Sequence, residues 1–277
     1  MTAPFFSIVV NSIDKWKFAQ FSTHIETLFA GVPFEIVGIH DARSMTEGYN
    51  RGLKRARGNI IIFSHDDVVY LDRQFAQKIA ERMQSWDVLG FAGTSRLTSP
   101  AWFAADFPHL HGAVSHCTSR YAGYLSFIIY GASSWPVVSH IEALDGLCII
   151  ARREVAESIG FDSETFDHWH LYDLDFSFAA YLAGFRIGVC CDIPILHAST
   201  SIQSLNSSSV MDVYQKYAER FRQKYEGRRP MMPFDRRSAQ GTQCFLRSPE
   251  TLVSLWTEKV FRRASLTVGH KHSESAA

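Results

Sequence analysis

Four large apolar residues, Ile60, Ile61, Ile62 and Phe63, stop abruptly at Ser64-His65-Asp66-Asp67, and Val68 and Val69 follow. Three of the four are β-branched, which suits an interior strand of a sheet covered on both faces. Ligands of such sheets bind at the carboxyl ends of strands. Two adjacent acids there repel each other unless a cation neutralises them, and hard oxygen ligands favour Mg2+ or Mn2+. The chemistry implied is a metal-diphosphate site. The alternative is a solvated turn, or a cap for a helix beginning near Asp72.

A second acidic cluster runs Asp167-His168-Trp169-His170-Leu171-Tyr172-Asp173-Leu174-Asp175. Leu174, Phe178, Tyr181 and Leu182 follow at helical spacing and Gly184 closes the helix, so Asp173 falls at its start. An N-cap role is expected there, with the helix dipole lowering the carboxyl pKa. Capping and catalysis are compatible, because a carboxylate fixed at a helix start projects from a rigid support. Asp175 points elsewhere around the helix and is expected to order its start or the nearby loops. His197 ends the apolar run Ile195-Leu196 and either returns to the metal or serves structure alone.

These groups need a scaffold. Phe5–Val10 reads as a buried strand ending at Asn11-Ser12, and Asp14–Ala30 as a helix closed by Gly31. Pro33–Ile39 is a strand ending at His40-Asp41, and Thr46 is the expected cap of a helix reaching Gly58. Three strands separated by helices imply right-handed crossovers and a parallel sheet. A helix over Asp72–Gln84 and strands at Val88–Ala92, Ala143–Arg153 and Phe185–Cys191 continue the pattern. Gly146, after Asp145, permits close approach of a ligand or another backbone, or marks a simple turn. Residues 94–143 are rich in aromatics and suit an acceptor-binding region or lid. His109, His111 and His116 lie there without a familiar zinc spacing.

With 28 basic and 28 acidic residues the chain lacks the electrostatic footprint of a nucleic-acid binder. The balance is uneven: residues 1–206 carry 15 basic and 21 acidic side chains, residues 207–277 carry 13 and 7. Five cysteines with neither metal spacing nor an even framework favour a reducing cytosol. No stretch reaches 18 apolar residues, so no membrane span is expected. Ala198–Ser209 reads as a mobile loop, Val210–Tyr225 as a helix and Pro249–Arg263 as a last amphipathic helix before a disordered tail. Two regions follow, 1–200 and a basic helical extension, 201–277. The extension's arginines and aromatics suit peripheral contact with anionic lipid, or else a helix packed on the body with solvated charges.

In this order the pieces resemble the family 2 glycosyltransferases, inverting enzymes with the nucleotide-sugar-binding fold called GT-A. The nearest likeness is to a bacterial glycosyltransferase-like subgroup related to a streptomycin-biosynthesis protein. It covers roughly residues 5–200 and rests on Tyr49-Asn50-Arg51-Gly52, Ala56-Arg57-Gly58, Phe-Ser-His-Asp-Asp-Val at 63–68, Asp145-Gly146 with Arg152-Arg153, Tyr172-Asp173-Leu174-Asp175 and Ile195-Leu196-His197. The resemblance implies that His65-Asp66-Asp67 occupies the family's Asp-x-Asp position, with Asp67 on the divalent metal and Asp66 near the ribose or a metal-bound water. His65 replaces the first acid and is a further candidate ligand. The resemblance further implies that Asp41 contacts the nucleotide base, with Asn11 and Asn50 near that pocket. Tyr172-Asp173 replaces a Glu-Asp pair, making Asp173 the general base, and His197 matches a histidine that reaches metal or diphosphate.

The expected fold is α/β of GT-A type, a mostly parallel central sheet flanked by helices with a C-terminal helical extension. The expected activity is Mn2+- or Mg2+-dependent inverting transfer from a nucleotide-sugar donor, a UDP-sugar, to a saccharide or lipid-linked acceptor, in the cytoplasm. A nucleotidyltransferase would usually carry a glycine- and basic-rich loop after the first strand, and Asn11-Ser12-Ile13-Asp14 offers none. A degenerate sugar-binding module is the non-enzyme alternative, suggested by His65 and Tyr172 in place of acids.

Overall fold

The computed structural model describes residues 3–117, 125–131, 133–198, 208–235 and 242–246. The first half alternates strand and helix as the apolar runs dictate: β1 (Phe6–Asn11), α1 (Lys15–Leu28), β2 (Phe34–Ile39), α2 (Met45–Arg55) and β3 (Ile60–Ser64). Asp14 caps α1, accepting the N–H groups of Trp16 and Lys17. Ser44, not Thr46, caps α2. Thr46 is buried, and its hydroxyl donates to the Phe166 carbonyl at 2.7 Å.

Next come β4 (Val68–Tyr70), α3 (Phe75–Arg82), β5 (Val88–Gly90), β6 (Ala92–Thr94), β7 (Leu110–Cys117), β8 (Leu125–Gly131), β9 (Val137–Val138), β10 (Ala143–Leu144) and β11 (Cys148–Arg152). The expected strand at Val88–Ala92 is thus split between two sheets, and Ala143–Arg153 is broken by a turn at Asp145–Leu147. Helices α4 (Arg153–Ile159) and α5 (Tyr172–Leu182), strands β12 (Ile187–Cys190) and β13 (Ile195–His197), helix α6 (Ser208–Tyr225) and β14 (Thr242–Leu246) complete the described chain.

The main sheet runs β2-β1-β3-β11-β5-β12-β9. β1 is parallel to β2 and β3, and β12 to β5, but β11 lies antiparallel between β3 and β5, which makes the sheet mixed. A second sheet, β10-β6-β7-β13-β4, is extended by β8 and β14.

Strand β3 is buried on both faces, and its alternate residues serve two separate cores. Ile60 and Ile62 join Phe21 and Ile25 of α1 and Phe75 and Ile79 of α3, whereas Ile61 and Phe63 join Tyr49 of α2, Val155 of α4 and Phe176 of α5. Helix α5 feeds both, with Leu174 and Phe178 in the first core and Tyr172, Phe176 and Ala180 in the second. It is therefore held from two sides, which fixes the position of its first turn.

Helix α6 begins the expected extension, yet Tyr214, Tyr217, Ala218, Phe221 and Tyr225 are buried in the first core. At about 1.5–3 kcal/mol for each large apolar side chain buried, this face anchors α6 firmly to the sheet body. Asp175 completes the join. It is buried in α5 and accepts from Lys224 Nζ at 2.6 Å and Tyr225 Oη at 2.7 Å, the ordering role read for it in the sequence. The expected helix over Pro249–Arg263 and the tail lie outside the described residues, as does most of the Ala198–Ser209 loop. Among described residues no helix is long and apolar enough to cross a membrane.

Candidate active site

The segment His65-Asp66-Asp67 bridges β3 and β4, which belong to different sheets. Antiparallel pairing of β13 with β4 sets His197 opposite Val68, so the histidine ending one strand meets the acids ending another. His197 Nε2 lies 3.1 Å from Asp67 Oδ1, a buried oxygen that no well-aligned hydrogen bond otherwise satisfies. His65 Nδ1 lies 3.4 Å from the same His197 nitrogen. The three donor atoms all fall within 4.8 Å of one another. Metal–ligand bonds of about 2.0–2.3 Å let a single divalent ion touch all three.

Electrostatics prepares the group for a cation. Burial, with the nearby His197 ring, pushes the His65 imidazole down to about 4 against the pull of Asp67, so it is neutral at pH 7. Burial also pushes the Asp67 carboxyl up, but the contact and charge of His197, together with His65 and Lys17, outweigh it and hold the group below its ordinary range. A neutral imidazole beside an ionised carboxylate is the protonation state that binding requires. The residues present fit the divalent ion that the sequence implied.

A cavity of about 530 Å³ opens over this cluster, its walls including Asn11, Ser12, Lys17, Asp66, Trp169 and His170. Ser12 Oγ donates to Asp66 Oδ2 at 2.6 Å. Asn11 Nδ2 donates to the Met45 carbonyl at 3.1 Å, fixing the side chain in the wall. Lys17, unnoticed in the sequence because it lies on the exposed face of α1, adds positive charge. Its signal was its place in the first turn of the helix that follows the first strand.

Asp173 differs from expectation. It is the second residue of α5, no side chain caps that helix, and the residue before it, Leu171, adopts a left-handed φ of 63°. Burial and the charge of Asp145 raise the Asp173 carboxyl to about 7, although it accepts the N–H groups of Leu174, Asp173 itself and Gly146. Desolvation thus overrides the dipole that was expected to lower it. Asp173 as a whole residue is half-buried. Gly146 permits this packing: a Cβ there would stand 2.3 Å from Tyr172 Oη and 2.9 Å from Asp173 Cβ. The close approach read from this glycine is to side chains of α5. Asp145 itself is raised by burial, against a hydrogen bond from the Leu147 N–H, the charge of His197 and a bond from the Trp102 indole.

Two expected site residues lie elsewhere. Asn50 grips the Phe161 backbone on both sides, donating to the carbonyl at 2.6 Å and accepting the N–H at 3.0 Å, and is not among the cavity walls. Asp41 is exposed and paired with Arg51 at 2.8 Å, while its neighbour Ala42 reaches the cavity wall. His109 and His111 share the Ser95 hydroxyl at 3.2 and 3.1 Å. His116 sits opposite His197 in the β7–β13 register, its ring centroid 5.4 Å from that of His197. Among the described residues the one cluster of metal-ligating groups is His65, Asp67 and His197.

The α/β fold with its mixed sheets is that of the GT-A glycosyltransferases. The chain belongs to the glycosyltransferase-like family, whose model matches residues 7–225. Among solved structures, the mannosyltransferase PcManGT of Pyrobaculum calidifontis, in complex with GDP-Man and Mn2+, superimposes with a TM-score of 0.50 at 10% identity, covering 100% of this chain and 77% of that one. Drosophila β1,4-galactosyltransferase 7, a variant in complex with manganese, UDP-Gal and xylobiose, gives 0.43 at 14% identity, with 74% and 75% covered. TarS 1–349 of S. aureus in complex with UDP gives 0.44 at 14%, with 80% and 72% covered. A comparison with curated proteins returned no match.

Proposed function

We propose that the chain is a metal-dependent inverting glycosyltransferase, moving a sugar from a nucleotide-diphosphate donor, a UDP-sugar, to a hydroxyl of a saccharide or lipid-linked acceptor. The observation that carries this reading is the juxtaposition of His65, Asp67 and His197 in the wall of a strand-end cavity, with Asp173 following directly on Tyr172, whose hydroxyl lies 2.6 Å from His65 Nε2. A divalent ion held by the three residues supplies Lewis-acid stabilisation of the departing diphosphate. Lys17 adds charge of the same sign, and Ser12 and Asp66 offer a hydrogen-bonding edge for the ribose.

Asp173 is suited to general-base work. With a carboxyl near 7 it is substantially ionised at neutral pH, yet basic enough to take the acceptor's hydroxyl proton as the oxygen attacks. A single displacement follows, and no enzyme nucleophile is needed. The cytoplasmic assignment rests on cysteine usage, and the buried free thiols of Cys148, Cys190 and Cys191 suit a reducing compartment. Lipid contact through the basic C-terminal region rests on sequence alone.

The test is thermal stabilisation against nucleotides and nucleotide sugars with Mn2+, Mg2+ or EDTA. A ligand at 100 times its dissociation constant adds about 2.7 kcal/mol. A metal-requiring shift with UDP or a UDP-sugar, lost in Asp67→Ala, is expected. No shift with any nucleotide would favour the degenerate binding module.

A further inference from the structure

We propose that Tyr172 is the positioning residue of the ion site, its hydroxyl holding His65 in the tautomer and ring orientation that turn Nδ1 toward Asp67 and His197. The inference rests on the proposed function for the ion, and on hydrogen-bond geometry for the rest.

Tyr172 Oη lies 2.6 Å from His65 Nε2 and 3.0 Å from the Gly146 carbonyl oxygen. A phenol has one proton to give, and a carbonyl can only accept. The Tyr172 hydroxyl therefore donates to Gly146 and receives the hydrogen bond from His65, which places the His65 proton on Nε2. The Nδ1 lone pair is then free, on the side of the ring that faces His197 Nε2 at 3.4 Å.

The tyrosine can act as a fixed post because its ring cannot swing. It is buried against Tyr49 and Phe161, with ring centroids 5.8 and 6.4 Å away, and Gly146 closes over its hydroxyl. Gly146 then serves two residues: its carbonyl accepts from Tyr172 and its N–H supports Asp173. Ion site and base are thereby tied to the backbone of one residue.

Two readouts test this without turnover. In metal-free protein labelled with 15N-histidine, long-range 1H–15N correlations are expected to show His65 as the Nε2–H tautomer, and Tyr172→Phe to lose that single state. Mn2+ binding, followed by the EPR signal of the free ion, is expected to weaken 10- to 100-fold in Tyr172→Phe, the usual cost of losing an orienting partner. His65→Ala should weaken it too, and adding Tyr172→Phe to His65→Ala should cost nothing further. An Nδ1–H tautomer in the wild type overturns the proposal with no variant needed. So does unchanged Mn2+ affinity in Tyr172→Phe, or additive losses in the double variant. Wild-type protein that binds no Mn2+ overturns the ion reading itself, an outcome distinct from the failure of Tyr172 alone.

Discussion

The charge of Asp145 adds to burial in holding the Asp173 carboxyl near 7, while the Gly146 N–H between them pulls the other way. A base must be ionised to work, so kcat/KM is expected to rise with pH and level off above an inflection near 7. Asp145→Asn removes a negative charge and should move that inflection to lower pH. The pH–rate profiles of the two proteins check this. An inflection unmoved by Asp145→Asn would show that burial alone sets the value.

The same shift costs stability. The Asp173 carboxyl titrates near its ordinary 3.8 when the chain is unfolded and near 7 when it is folded. Between those values the folded chain holds a proton that the unfolded chain has released. Stability from this group is therefore undiminished below about pH 4, declines as pH rises toward 7, and stays lowered above it. Three pKa units correspond to about 4 kcal/mol as an upper bound. Asp173→Asn should accordingly be the more stable protein at pH 8 in urea denaturation, with the advantage vanishing toward pH 4. A variant no more stable than wild type at pH 8 would show that the folded carboxyl is not raised.

The strands were legible because apolar runs such as Ile60–Phe63 have no other stable place than a doubly covered sheet, and the two acidic clusters were visible at a strand end and a helix start. What the sequence could not show was distance. His65 and Tyr172 each read as a lost acid when taken alone, and only the fold reveals that the two replacements touch. The resemblance set Asn50 near the pocket, but the loop around Phe161, more than a hundred residues on, claims both ends of its amide. The pKa of Asp173 was misread for a related reason: the dipole of a helix start is local and legible, whereas desolvation depends on what the rest of the chain lays over it. Strand β11 broke the parallel rule by entering antiparallel between β3 and β5, which no local apolar pattern announces.

The donor set also bears on which ion is chosen. Mg2+ demands oxygen ligands and sheds water reluctantly, whereas imidazole suits later divalent ions. With His65 and His197 beside Asp67 the site should favour Mn2+ over Mg2+. Thermal shifts at matched free-ion concentrations, with nucleotide present, are expected to be larger for Mn2+. Equal stabilisation by Mg2+ would mean that Asp67 alone holds the ion.

Asn50 and Asp67 separate what holds the site from what does its chemistry. Asn50 fastens helix α2 to the segment that leads from α4 to α5, through a pair of hydrogen bonds with the Phe161 backbone. Removing the amide leaves the part-buried Phe161 N–H and C=O without these partners, at about 1–3 kcal/mol. Asn50→Ala is therefore expected to lower the urea midpoint with no change in the slope, and to bind nucleotide with unchanged affinity at temperatures where it remains folded. Asp67→Ala should do the reverse: it removes one carboxylate from a cavity wall, held there by a single 3.1 Å contact with His197, so folding should survive while metal-dependent nucleotide binding is lost. Calorimetric titration of both variants, alongside denaturation, decides the matter. Weakened nucleotide binding in folded Asn50→Ala would return Asn50 to the pocket.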